Sequence, residues 1–127
     1  MENILPDYDW NDIAAQLDVR GWARLPTLLK LGQCDALAAL YPEDSAFRST
    51  VVMARHGFGS GEYRYFSEPL PPLVNAMRTA LYRRLAPIAN AWQNALGLSD
   101  RFPDDLAAFL ARCHTSGQKR PTPLLLR

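Results

Sequence analysis

One stripe of apolar residues constrains this chain more than any other feature. Leu73, Met77, Leu81, Leu85, Ile88, Trp92 and Leu96 follow one another at steps of four, four, four, three, four and four. Such spacing keeps side chains on one face of an α-helix and excludes a strand over the same residues. The stripe predicts a long core-facing helix, with Arg78 and Arg83 on its solvated side. Pro87 lies within it, and an interior proline removes one backbone hydrogen bond. The expectation is a kink near Arg83–Pro87, or two helices in line.

Shorter elements flank this helix. Asp9 suits an N-cap, Asp12 a first-turn carboxylate and Gly21 a left-handed helix end, with Trp10, Ile13, Ala14 and Leu17 as the apolar stripe between them. Trp22–Thr27 alternates in a manner compatible with a short edge strand ended by Pro26. A second helix is expected from about Leu31 or Gln33 to Tyr41. It would bury Leu37, Leu40 and Cys34 and be stopped by Pro42. Thr50–Met53 and Glu62–Phe66 read as a hairpin with a long glycine-rich connection. A last helix should start with Pro103 at its first position, carry Leu106, Phe109, Leu110 and Cys113 inward, and stop at Gly117. The closing RPTPLLLR reads as extended, with a strand from about Pro123. The fold class is therefore α+β, helix-dominated with a short hairpin, in a single domain over residues 1–127, a size at which one core suffices.

Composition narrows the function classes. Fourteen basic and thirteen acidic residues give a net charge of +1, too little for a strong basic field over the surface. No apolar run reaches the roughly 18 residues of a membrane span. The N-terminus lacks a secretion pattern, and Cys34 and Cys113 cannot build a disulfide framework, so a cytoplasmic setting is expected.

The chemistry-bearing residues are sparse. Gly57, Gly59 and Gly61 form G-x-G-x-G ahead of a strand, whereas phosphate loops open a helix. Cys34, His56, Cys113 and His114 show no zinc spacing, and adjacent Cys113 and His114 point about 100° apart on a helix. Neither histidine begins an H-x-D or H-x-E pair, so no metal-ligand set is read and no catalytic or cofactor-binding residue is assigned. Arg55, Tyr63, Arg64, Tyr65 and Phe66 could offer bases a stacking platform, although a solvated strand face is the commoner meaning.

Three segments carry a resemblance: GEYRYFSEPLPPLVNAMRTALYRRLAPIANAW, RFPDDLAAFLARCHTSGQ and KRPTPLLLR. With GWARLPTLLKLGQCDAL they resemble the N-terminal part of a bacterial family of 2-oxoglutarate- and Fe(II)-dependent oxygenases. That family is related to the prolyl-hydroxylase-like enzymes and is described as acting on damaged nucleic acid. The resemblance spans about Trp22 to Arg127. It implies that the last strand opens a double-stranded β-helix, incomplete here, and that Fe(II) and 2-oxoglutarate serve the complete parent. The H-x-D motif, the second histidine and the co-substrate arginine would follow residue 127. The chain alone should then be inactive, with Leu124 and Leu126 as pocket-wall packing. The open edge of that strand suggests self-association. The alternative is a small helical interaction or scaffold protein without catalysis. An enzyme using Cys113 and His114 is a third reading.

Overall fold

The computed structural model describes residues 4–127. Four α-helices and one three-stranded antiparallel sheet follow in the order α1 (Trp10–Arg20), α2 (Leu31–Leu40), β1 (Phe47–Val52), β2 (Glu62–Phe66), α3 (Pro72–Ala95), α4 (Leu106–Thr115) and β3 (Leu124–Leu126). Single 3₁₀ turns cover Asp44–Ala46 and Met53–His56. The α+β class expected from the sequence is the one observed. Backbone contacts divide the chain into two compact units.

The first unit holds the residues up to Leu28 together with Asn75–Gln118, and so α1, most of α3, and α4. The ends of α1 form as their residues require. The Asp9 carboxylate accepts from the amides of Asn11 and Asp12, both at 3.1 Å, and Gly21 closes the helix at φ 78°. Only a residue without Cβ takes that turn freely. Leu5, Ile13, Ala86 and Leu106 are its buried apolar residues. Helix α3 runs as one helix through Pro87, so the two-helix alternative is not realised. Its stripe is less buried than its spacing suggests, because Leu85 and Trp92 stay exposed and small Ala86 is the buried residue.

The connection from α3 to α4 is built on side chains that bond backbone. Asn90 brackets Phe102, accepting from its amide at 2.7 Å and donating to its carbonyl at 3.0 Å. The Tyr82 hydroxyl donates to the Pro103 carbonyl at 2.8 Å, and Arg112 donates to that of Arg101 at 2.8 Å. These bonds satisfy backbone groups that a loop would otherwise leave to water. Pro103 thus lies before α4 rather than opening it. The helix starts three residues later, where the Asp105 carboxylate caps the Ala108 amide at 2.8 Å. Trp22–Thr27 is no strand. Thr27 takes a positive φ of 53°, and the Pro26 carbonyl accepts from the Tyr8 hydroxyl.

The second unit, Leu29–Val74 with Lys119–Arg127, holds α2 and the sheet, in the order β1-β2-β3. Its core is aromatic. Phe66, 1% exposed, stacks on Phe47 at 4.9 Å between centroids, and Tyr41 leans on Phe47 at 6.0 Å. An irregularity in register after Phe47 lets Phe47 face Phe66 while Ser49 pairs with Tyr65. Helix α2 turns Gln33, Leu37 and Leu40 inward and leaves Cys34 exposed, which overturns the expectation that this thiol is buried. Cys34 sits about 100° around the helix from Gln33, off the inward stripe.

Candidate functional site

Strand β2 distributes its side chains to two faces by its period of two. Tyr63 and Tyr65 lie on one face, and Glu62, Arg64 and Phe66 on the other. The stacking platform suggested by Arg55, Tyr63, Arg64, Tyr65 and Phe66 is therefore split. Phe66 is core, Arg64 is held by its own neighbours, and Arg55 lies in the 3₁₀ turn after β1.

The face that carries Arg64 forms a recess of about 310 Å³, lined by Tyr41, Asp44, Thr50, Glu62, Arg64 and Arg127. Arg64 organises it. Its Nε donates to Thr50 Oγ1 at 3.0 Å, Nη1 to the Tyr41 carbonyl at 2.5 Å and Nη2 to Asp44 Oδ1 at 2.9 Å. The guanidinium carbon stands 4.4 Å from the Phe47 ring centroid and 5.6 Å from that of Tyr41. Three bonds in three directions and an aromatic floor leave the side chain one orientation. The Arg64 side chain is 13% exposed, while that of its ionic partner Asp44 is 94% exposed.

Arg127 covers the Tyr41 ring at 5.1 Å. It is placed by β3, since Glu62 and Arg127 exchange both backbone hydrogen bonds at 3.0 and 2.8 Å. Tyr41 is 8% exposed, and its hydroxyl is buried beside the Glu62 carboxylate. Burial pushes this hydroxyl above the ordinary tyrosine range, and the Glu62 carboxylate adds to the rise through a side-chain hydrogen bond and its charge. Arg127 and Arg64 pull in the opposite direction. The recess thus sets the fixed Arg64 guanidinium and that of Arg127 beside the Glu62 carboxylate and the Tyr41 phenol.

The residues singled out in the sequence fall elsewhere. Leu124 and Leu126 are on β3, opposite Tyr65 and Tyr63, and are 40% and 67% exposed. His56 stacks on Phe58 at 5.7 Å in the connection between β1 and β2. His114 and Cys113 occupy the last turn of α4. Among the described residues no three histidines, cysteines, aspartates or glutamates gather to hold a metal ion. The recess residues Tyr41, Glu62 and Arg127 escape a reading of the sequence. The period of two does put Glu62 beside Arg64, but nothing local announces that Tyr41 and Arg127 join them.

Comparison with known proteins supplies the class. Residues 61–127, from the turn before β2 to β3, match the model of an oxygenase family described as catalysing oxidative methylation of damaged DNA. The match covers more than half of the chain, and the protein belongs to this oxygenase family. It is also 42% identical over 62 residues to two curated relatives, uncharacterized protein Rv2227 of Mycobacterium tuberculosis (strain ATCC 25618 / H37Rv) and uncharacterized protein MT2286 of strain CDC 1551 / Oshkosh. The aligned stretch is 49% of this chain and 27% of each relative, so the chain spans about a quarter of their length. No solved structure matches it. No helix among the described residues is long and apolar enough to cross a membrane.

Proposed function

We propose that this chain is the front part of a 2-oxoglutarate- and Fe(II)-dependent oxygenase that hydroxylates or demethylates a nucleic-acid substrate. The observation that carries the reading is the family match, which runs through β2, α3, α4 and β3. The described residues do not fit an iron site, because no metal-binding group of three assembles. The histidines, the carboxylate and the co-substrate arginine come, in this reading, from sequence beyond these 127 residues, which the greater length of the relatives accommodates. This part of the chain then braces the catalytic barrel through its helices and contributes its opening strand. No chemical step is assigned to its own side chains.

The test compares this chain with full-length Rv2227. Both are supplied with Fe(II), O₂, 2-oxoglutarate and methylated single-stranded DNA, and succinate release is measured. Succinate from the full-length relative and none from the 127-residue chain is the expected result. Turnover by the 127-residue chain, or none by the full-length protein with either co-substrate or DNA varied, overturns the proposal.

A further inference from the structure

Helix α3 carries more apolar surface than its own unit covers. Leu85, Ile88, Trp92 and Leu96 follow the stripe read from the sequence, yet Leu85, Trp92 and Leu96 are exposed. Tyr82, Ala86 and Asn90 lie on another face of the helix, where Tyr82 and Asn90 bond the residues before α4. The open stripe borders a groove of about 620 Å³ between α1 and α3, both in the first unit. Ala14, Ala15, Ala91 and Ala95 give the groove its hollows, and Ile88 and Trp92 give it bulk. Knobs and hollows on one surface allow a copy of that surface to interlock with it.

Charge gives the groove a direction. The Arg84 guanidinium carbon stands 5.8 Å from the Trp10 ring centroid, so the start of α1 lies beside Arg83 and Arg84. From there the lining continues toward the C-terminus of both helices, to Asp18 on α1 and Ala95 on α3. Trp10 and Asp18 are about 12 Å apart along the helix. One end of the groove is therefore positive and the other negative. Among the described residues, Asp18 and Arg83 have no ionic or hydrogen-bonded side-chain partner, and Arg84 has only the Trp10 ring.

A second copy turned about a two-fold axis presents the same groove in reverse. The positive end of each copy then meets the negative end of the other, twice over. A uniformly acidic partner would satisfy Arg83 and oppose Asp18. We propose that the α1–α3 groove is the face of a two-fold homodimer, with Arg83 and Arg84 of each copy against Asp18 of the other and Trp92 buried in the contact. The surface is separate from the margin of β3, and the proposal does not depend on the oxygenase reading.

Sedimentation equilibrium of the chain over a rising concentration series tests it, and monomer and dimer should both be seen. Trp92→Lys should weaken dimerisation by at least about tenfold. Arg83→Glu with Arg84→Glu, and separately Asp18→Lys, should each weaken it by at least about tenfold, because like charges then meet at both ends. Mixing these two charge variants should restore a one-to-one dimer, since each introduced charge then faces its opposite. Trp92→Lys decides alone if a charge variant fails to keep its helices by circular dichroism. Leu124→Lys with Leu126→Lys blocks pairing along β3 and should remove only species larger than the dimer. A monomer at every concentration, the result expected if a further segment of a longer chain fills the groove, would overturn the proposal. So would dimerisation unmoved by Trp92→Lys, or charge variants that stay monomeric when mixed.

Discussion

Arg64 offers the sharpest test of how the sheet is held to the end of α2. Replacing it with Met keeps an unbranched apolar stem over Phe47 and removes the guanidinium. Two losses dominate. The charge-assisted bonds to Thr50 Oγ1 and the Tyr41 carbonyl contribute about 1.5 kcal/mol each, and the contact with the Phe47 ring about 0.5–2 kcal/mol, since the group is mostly desolvated. The ion pair contributes least despite its 2.9 Å length, because Asp44 is 94% exposed and such pairs are worth about 0–1 kcal/mol. Arg64→Met should therefore cost about 3.5–5 kcal/mol, and Asp44→Asn less than about 1 kcal/mol. The readout is amide exchange at Tyr63 and Tyr65, whose backbone groups face β1. Protection there should fall by about 300- to 4000-fold in Arg64→Met and by less than about fivefold in Asp44→Asn, at tenfold per 1.4 kcal/mol. Equal losses in the two variants would show that the ion pair, not the bonds to Thr50 and the Tyr41 carbonyl and the ring contact, holds Arg64. A loss below about fivefold in Arg64→Met would refute the ledger altogether.

Other outcomes follow from the same geometry. Gly61→Ala should destabilise by about 1–3 kcal/mol in urea unfolding, because its φ is +100° and a Cβ would stand 2.8 Å from the Arg127 carbonyl oxygen. Tyr41 and Tyr82 should ionise above the ordinary tyrosine range in an absorbance titration at 295 nm, since burial raises both. A raised folded pKa gives stability that is present below the ordinary tyrosine pKa and lost as pH rises through the folded one. Tyr82→Phe should then blunt the alkaline loss while costing about 1 kcal/mol at neutral pH for the bond to Pro103. Leu124→Lys with Leu126→Lys should lower any concentration-dependent mass seen by light scattering, as charges on an edge strand discourage pairing. An unchanged mass in that variant would place association elsewhere.

Local chemistry was legible in the sequence, and long-range assembly was not. Asp9 and Gly21 mark the ends of α1 because a cap is a contact between residues only a few positions apart. The strand after Pro123 was readable for a similar reason, since two prolines forbid helix. Pro103 misled because its usual place at a helix start competed with Asp105, whose carboxylate reaches the Ala108 amide and sets the start later. Cys34 misled because an apolar residue type was taken for an inward position, whereas the inward stripe of α2 runs through Gln33. The oxygenase family was visible in the three segments spanning Gly61 to Arg127, the same stretch that the family match covers. The recess was not visible at all. Tyr41, Glu62 and Arg127 lie far apart in the chain, and they meet because Arg127 pairs with Glu62 across the sheet and Tyr41 packs on Phe47.

The pairing of β3 with β2 determines which way β3 presents Pro123 and its backbone amides. The Pro123 carbonyl accepts from Phe66, so the N–H that proline lacks belongs to the β2 side of the strand. Leu124 and Leu126 stand at the intervening positions, where an antiparallel ladder turns backbone groups away from its partner. Proline commonly blunts a sheet margin by withholding an outward donor. Here the parity is reversed: the missing donor falls on the inside, and the outer margin of β3 keeps two amides, two carbonyls and leucine side chains. This margin can accept another strand only in steps of two residues, because a slip of one would offer the added strand the wrong set of backbone groups.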